Sequence, residues 1–129
     1  MALTLAEANR VVEAAIAKAG EMNIKISVAV CDAGGRLVAF NRMDGAFFAG
    51  GFGSQGKAIA SAAFARPSGA IDPTRAIVQC IREAEGDHMI PSQGGMPIIR
   101  NGVIEGGCGV GGGTSEQDEE CAQAGIAAL

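Results

Sequence analysis

Aromatic residues are scarce in this sequence. It contains no tryptophan and no tyrosine, and only five phenylalanines and one histidine among 129 residues. Because 48% of the residues are hydrophobic all the same, the interior must be filled mainly by Ala, Val, Ile and Leu. A single histidine excludes a metal site built from two histidines of one chain. The length predicts one domain, residues 1–129, large enough to bury a core.

Basic clusters and long apolar runs are missing as well. The ten Lys and Arg residues are scattered and the net charge is −4, so no basic stripe can pair with a phosphate backbone. Nucleic acid is therefore not expected as a partner. The N-terminus lacks the pattern of a signal peptide, and no segment is long enough to span a bilayer. We therefore expect a cytoplasmic protein with no membrane partner.

The four cysteines lie far apart and form no C-x-x-C pair; they are Cys31, Cys80, Cys108 and Cys121. This spacing does not fit a zinc site or a disulfide framework. Buried free thiols are the expected state of these residues.

Capping residues predict the helices at both ends of the chain. Thr4 followed by Glu7 forms a capping box, and apolar residues then recur at helical spacing until Gly20. The last helix is expected to begin at about Ser115.

Two further helices are predicted in the middle of the chain. Ser54 is expected to cap an alanine-rich helix that ends before Pro67, because proline disfavours a helical residue in front of it. Asp72 followed by Pro73 predicts the start of another helix, which fades near Gly86.

The strands are expected in two hairpins. The first pair, at about 24–32 and 36–43, surrounds the turn sequence "DAGG". The second pair, "MPIIR" and "GVIEGGCGV", surrounds the turn at Asn101 and Gly102. Adjacent hairpins among helices predict an α/β protein of the α+β type with an antiparallel sheet.

Six of the eight residues from Gly106 to Gly113 are glycine, and a helix follows them directly. A phosphate cradle needs a free helix N-terminus, but here Thr114 or Ser115 can cap the helix and four acidic residues crowd its first turn. The lysine of a P-loop is also missing. The glycines are therefore expected to let another backbone, a helix or a flat ligand lie against the strand.

Three segments resemble the GlcG/HbpS family over nearly the whole chain. They are "LTLAEANRVVEAAIAKAGEMNIKISVAVCDAGGRLVAFNRMDGA", "GSQGKAIASAAF" and "SQGGMPIIRNGVIEGGCGVGGGTSEQDEECAQAGI". Members of that family include haem-binding proteins and the C-terminal domain of PduO-type proteins, and some bind haem or a corrinoid. The resemblance implies a profilin-like sandwich, a mainly antiparallel sheet of about five strands flanked by helices, assembled into a homo-oligomer.

The resemblance also implies a set of pocket-forming residues: Lys57, Gly94, Gly95, Pro97, Gly109, Gly112 and Asp118. Gly111 stands where the family usually has a serine, so one hydroxyl that could contact a ligand is missing here.

Two side chains carry most of the expected chemistry. His88 is either an axial haem ligand or an exposed loop residue. Met43, Met89, Met96 or a cysteine could also ligate haem iron, but the alternative role of the methionines is to fill the core. Lys57 is either a partly buried acid/base or carboxylate anchor, or an ion-paired lysine near a subunit contact.

Two functions fit these residues. The first is an oligomer that binds haem or another carboxylated small molecule, with Lys57 at the carboxylate and His88 as a metal ligand. The second is a small catabolic isomerase or lyase, in which Lys57 and Asp118 transfer protons and the glycine-strand amides hold an oxyanion. A purely structural subunit is a third, weaker alternative. Asp32 and Arg36 flank a turn and are expected to have no function beyond solubility.

Overall fold

A computed structural model describes residues 2–129, with four helices and four strands in that range. The helices are α1 (Leu5–Glu21), α2 (Ala49–Phe64), α3 (Ala76–Glu85) and α4 (Ser115–Ile126). The strands are β1 (Ser27–Asp32), β2 (Leu37–Arg42), β3 (Gly95–Arg100) and β4 (Val103–Gly111). The predicted α+β class is confirmed. The sheet has the four strands of the two predicted hairpins rather than the approximately five that the family resemblance implies.

The four strands form one antiparallel sheet in the order β2-β1-β4-β3. Both predicted hairpins are confirmed. In the first, the Asp32 carboxylate accepts hydrogen bonds of 2.9 Å from the amides of Gly34 and Arg36, which holds the turn closed. The glycine-rich strand β4 lies inside the sheet, where Gly109 is opposite Ala29 of β1 on one side and Gly95 of β3 on the other.

Helices α1 and α4 cover one face of the sheet. The capping box of α1 is confirmed: the Thr4 hydroxyl accepts from the Glu7 amide, and the Glu7 carboxylate accepts from the Thr4 amide. Branched side chains fill the space between the layers, and the buried residues include Val11, Val12, Val28, Val30, Ile98 and Val110. This face holds the main hydrophobic core.

Arg100 lies at the edge of this core, between the carboxylates of two glutamates. Its guanidinium donates to Glu7 of α1, once at 3.1 Å and once over a shorter distance, and to Glu105 of β4 at 2.6 Å. The hydrogen bonds from Arg100 lower the pKa of Glu7 from 4.5 to about 2.

Helix α2 covers the opposite face and lies directly on the glycine strand. A Cβ atom on Gly109 would lie 1.9 Å from the Ser54 carbonyl oxygen, and one on Gly107 would lie 2.2 Å from the Ala58 carbonyl oxygen. No side chain fits in these spaces, because real Cβ atoms do not approach other atoms so closely. The expected role of the glycine run is confirmed, and the neighbour it admits is a helix.

Two predicted helix starts are wrong. Helix α2 begins at Ala49, five residues before Ser54, and the Ser54 hydroxyl is a buried donor to the Gly51 carbonyl at 2.8 Å. Helix α3 begins at Ala76 rather than at Asp72. The Asp72 carboxylate accepts from the amide of Thr74 at 2.9 Å and from its hydroxyl at 2.6 Å, and this local turn competes with the helix.

Three of the four free cysteines are buried, as expected, whereas Cys80 is exposed. Burial raises the thiol pKa to about 11 for Cys31 and Cys121 and to about 12 for Cys108. None of the helices in residues 2–129 is long and apolar enough to cross a membrane.

Candidate functional site

Lys57 and Asp118 form a buried ion pair at the end of the glycine strand. The Lys57 Nζ atom lies 3.2 Å from Asp118 Oδ2 and donates to the Val110 carbonyl oxygen at 2.9 Å. Only 9% of Lys57 and 3% of Asp118 is exposed. The pair therefore ties α2, β4 and α4 together, and it joins the two helical layers that lie on opposite faces of the sheet.

Asp118 has a second partner inside its own helix start. Its Oδ1 atom accepts from the Gly113 amide at 2.8 Å, while Thr114 and Gln117 form the capping box of α4. Burial raises the pKa of Asp118, and the hydrogen bonds from Gly113 and Lys57 oppose that shift. The carboxylate is thus held in place on both sides.

The G-G-x-P element lies against this pair. Gly94 has a φ of +132°, and a Cβ atom there would lie 2.8 Å from Lys57 Nζ. The Gly95 amide donates to the Ser68 hydroxyl at 2.8 Å, and Pro97 is opposite Gly107 in the sheet. The structure thus brings these residues to the C-terminal half of α2, but they pack closely instead of surrounding an open pocket.

The glycine-strand amides are not available as an oxyanion site, so that part of the enzyme hypothesis is wrong. Strand β4 pairs with β1 on one edge and β3 on the other, and these ladders use its amides. Its glycine face is covered by α2. Gly112 is also packed against backbone, since a Cβ atom there would lie 2.3 Å from the Lys25 carbonyl oxygen.

His88 lies elsewhere, on an open cleft of about 610 Å³ that we call the hairpin cleft. A volume of this order is typical of small-molecule sites, about 300–1,000 Å³. The cleft lies between the first hairpin turn, α2 and the segment that begins at the end of α3. Its lining residues are Ala33, Gly34, Gly35, Arg36, Leu37, Gln55, Ile59, Ala63, Glu85, His88 and Met89. Lys57 and the G-G-x-P element do not line it, so the structure separates the predicted site into two places.

The His88 side chain is 69% exposed but is held at one edge. Its Nδ1 atom lies 3.0 Å from the Glu85 carboxylate and 3.1 Å from the Glu85 carbonyl oxygen. Among residues 2–129 these are the hydrogen bonds of the ring, so Nε2 is left without a protein partner. A metal-binding histidine commonly has this arrangement, with one nitrogen bonded to a carboxylate or carbonyl and the other free.

The hairpin turn supplies a cation and apolar surface to the cleft. The Arg36 guanidinium donates to the Gly34 carbonyl at 3.0 Å, which holds the side chain over the turn. Leu37 beside it is 53% exposed, and Ile59 of α2 adds apolar surface. Arg36, expected to serve only solubility, is thus part of a cleft that also contains an imidazole.

The methionines are mainly core residues. Met89 is 4% exposed and packs with Ala60, Ile71 and Val78, although it also lines the cleft. Met43 and Met96 pack against the main core. In residues 2–129 no group of three or more His, Cys, Asp or Glu side chains is placed to hold a bare metal ion.

Glu85 is the residue of this cleft that the sequence reasoning missed. Its spacing from His88 was a usable signal, because a carboxylate three residues before a histidine can bond the imidazole across the end of a helix. Arg36 was noticed but not connected with His88, since nothing in the sequence shows that the first hairpin turn and the segment after α3 line one cleft.

Two curated relatives cover most or all of this chain. The chain is 32% identical over 125 residues to an uncharacterized 15.0 kDa protein of the dhaT-dhaS intergenic region of Citrobacter freundii, with 94% of this chain and 87% of the relative covered. It is 27% identical over 133 aligned residues to the corrinoid adenosyltransferase PduO of Citrobacter freundii. That match covers 100% of this chain but only 39% of PduO.

A solved structure and a family model agree with these matches. The crystal structure of a PduOC:heme complex superposes with a TM-score of 0.87 at 26% identity, covering 100% of this chain and 96% of the other. The family model described as haem degrading protein HbpS-like matches residues 3–127. The chain therefore belongs to the HbpS-like family.

Proposed function

We propose that this protein binds haem in the hairpin cleft. The observation that carries the proposal is His88, which lines a cleft of about 610 Å³ and has one ring nitrogen bonded to Glu85 and the other without a protein partner. Imidazole is a common axial ligand of haem iron. Membership of a family described as haem degrading and similarity to a haem complex support the same ligand.

The residues of the cleft fit the separate parts of a haem. His88 would hold the iron through Nε2, and Leu37 and Ile59 offer apolar surface to the porphyrin. Arg36 would pair with a propionate, because a guanidinium binds carboxylates well. When bound, haem supplies an iron centre for redox or oxygen chemistry. The chain's own residues then bind and orient the macrocycle, and the proposal requires no further role from them.

Titration with hemin tests this proposal. We expect a saturable Soret band with one haem per chain or per pair of chains, and loss or a shift of that band in His88→Ala. Cys80 is the exposed cysteine of the chain, so Cys80→Ser controls for a thiolate ligand and should leave the band unchanged. A broad, non-saturating response of the unmodified protein would overturn the proposal.

A proton-transfer enzyme remains a second candidate, and the buried Lys57–Asp118 pair is the observation in its favour. Catalytic roles for these two residues stay predictions. The packed surroundings of the pair and the loss of the oxyanion site favour a structural role instead. Turnover of a carbonyl substrate that disappears in a folded Lys57→Ala variant would support the enzyme, and unchanged turnover would remove Lys57 from its mechanism.

We also propose that copies of the chain assemble with one another. Phe47, Phe48 and Phe52, three of the five phenylalanines, are 60–69% exposed at the start of α2. The Phe48 and Phe52 rings contact each other with centroids 6.1 Å apart. Exposed apolar clusters of this kind favour protein contacts. Light scattering should give an oligomer mass for the unmodified protein, and this mass should fall in Phe48→Ser/Phe52→Ser. A monomer mass for the unmodified protein would overturn the proposal.

The cytoplasmic location stays a prediction from the sequence.

A further inference from the structure

The segment after α3 folds back over the last turn of that helix. Gly86 and Asp87 both have positive φ, +100° and +60°, and the Asp87 amide donates to the Arg82 carbonyl at 2.8 Å. This reversal returns His88 to the side of Glu85. The imidazole also lies over Gly86, where a Cβ atom would be 2.9 Å from His88 Cε1.

The Glu85 carboxylate is bonded to three groups of the returning segment. Its Oε2 atom accepts from the backbone amides of His88 at 3.0 Å and Met89 at 3.2 Å. Its Oε1 atom lies 3.0 Å from His88 Nδ1. Two of the three bonds hold the carboxylate to the backbone. The Oε1 atom that contacts the imidazole is therefore fixed in position.

These contacts decide which ring nitrogen carries the proton. His88 Nδ1 has two neighbours, the carbonyl oxygen of Glu85 and a carboxylate oxygen of the same residue. A carbonyl oxygen and an ionised carboxylate can only accept hydrogen bonds. A neutral imidazole has one N–H, and only its placement on Nδ1 satisfies both contacts. The lone pair is then on Nε2.

We infer that Glu85 is a positioning residue, which locks His88 in the tautomer with hydrogen on Nδ1 and so presents the Nε2 lone pair to a metal centre in the hairpin cleft. This inference rests on the proposed function, because the metal centre is the haem iron. A carboxylate bonded to the far nitrogen also makes the ligating nitrogen more basic. Glu85 would therefore influence both the affinity for haem and the electron density at its iron.

The tautomer can be measured without haem and without any substitution. His88 is the one histidine of the chain, so protein labelled with ¹⁵N in histidine gives a single imidazole signal set. At a pH where the ring is neutral, we expect the chemical shifts of a protonated Nδ1 and an unprotonated Nε2. Protonation of Nε2 in the unmodified protein would overturn the inference, whatever the hemin titration gives.

The effect on haem is tested with Glu85→Gln and a matched control, Glu83→Gln. Glu83 is exposed on the same helix and the substitution changes the charge equally. We expect the hemin Kd to rise about tenfold in Glu85→Gln, as is typical when such a partner is removed. The haem reduction potential should also shift to more positive values. Neither quantity should change in Glu83→Gln, and the urea midpoint of each variant shows whether it folds.

The outcomes separate the inference from the proposed function. Equal Kd and equal reduction potential in Glu85→Gln and the unmodified protein would overturn the role of Glu85 while haem binding stands. No saturable Soret band in the unmodified protein would overturn the proposed function, together with the assignment of Nε2 to iron. That result is obtained before any Glu85 variant is made, so the two failures cannot be confused.

Discussion

The two faces of the sheet are filled in opposite ways. Toward α1 and α4, alternate residues of β1 and β4 are branched or sulfur-containing, such as Val28, Val30, Cys108 and Val110. Toward α2, the residues between them are Ala29, Cys31 and the strand glycines, which meet alanines and bare helix backbone. One strand thus supplies side chains to one face and almost none to the other.

The difference means that the two faces tolerate opposite changes. On the α1/α4 face, removing atoms leaves a cavity, and stability falls with the volume lost. On the α2 face, adding atoms forces two backbones apart, because the contacts there are carbonyl oxygens and amides that cannot rotate away. The substitutions below test this contrast.

The largest effect is expected from Gly109→Val. Its Cβ would lie 1.9 Å from the Ser54 carbonyl oxygen, so α2 must move off the sheet. We expect a loss above about 3 kcal/mol, beyond ordinary overpacking, and little folded protein in circular dichroism or urea unfolding. Gly53→Ala is the control: Gly53 lies in α2 with nothing within 4 Å of its Cβ position, and alanine should stabilise the helix by up to about 1 kcal/mol. Normal stability of Gly109→Val would contradict the close packing.

Ile98→Ala tests the other face. Ile98 is fully buried in the main core, and truncation of such a residue costs roughly 2–5 kcal/mol. We expect about 3 kcal/mol by urea unfolding. The next residue supplies the control, because Ile99 is 45% exposed and Ile99→Ala should cost much less. Equal losses at the two positions would mean that the α1/α4 face is not the main source of stability.

Lys57→Met tests the link between the layers. It leaves Asp118, which is 3% exposed, without its cation, and breaking a buried pair in this way costs about 3–5 kcal/mol when burial is complete. Because the Lys57 side chain keeps 11% exposure, we expect a smaller loss, about 2 kcal/mol.

The double variant Lys57→Met/Asp118→Asn separates charge from packing. It removes both charges, and the side-chain carbonyl of Asn can still accept from the Gly113 amide. Part of the lost stability should therefore return relative to Lys57→Met. A double variant that is less stable than the single one would argue that the ion pair itself, rather than the avoidance of a lone buried charge, stabilises the fold.

The smallest effect is expected at the rim of the α1/α4 face, from Glu7→Gln. The folded pKa of Glu7, about 2, lies below its ordinary value of 4.5, so its ion pair adds stability above pH 4.5 and this gain is lost as the pH falls through about 2. The stability difference between the unmodified protein and Glu7→Gln should therefore shrink from about pH 6 to about pH 2.5 in urea unfolding. A difference independent of pH would contradict the assigned pKa. Glutamine keeps the capping box, which makes the comparison clean.

Local signals in the sequence were sufficient at three places, although at Asp72 a local turn was mistaken for a helix start. The Thr4–Glu7 box, the Asp32 turn and the Ser115 helix start are each determined by residues within a few positions, and all three were predicted. The start of α2 was not, because its first turns are rich in glycine and their close contact, Gly50 against Gly111 of β4, is distant in sequence. Such a contact has no local signature.

The candidate site shows the same division. The pairing of Lys57 with Asp118 was considered from the sequence, and the structure brings the two together. The hairpin cleft was not predicted, because Arg36 and His88, which both line it, are far apart in the chain. The sequence hypothesis places His88 in one pocket with Lys57, whereas the structure places the two residues apart.

The unequal burial of the cysteines has a practical consequence. Three of them are deep in the core with strongly raised thiol pKa values, whereas Cys80 is exposed on α3, the helix that ends at the hairpin cleft. Maleimide dyes react with thiolates, so the native chain offers a single attachment point without any engineered cysteine. A fluorophore placed there would sit on the helix that carries Glu85, and quenching of its emission by an added porphyrin would give a direct optical assay.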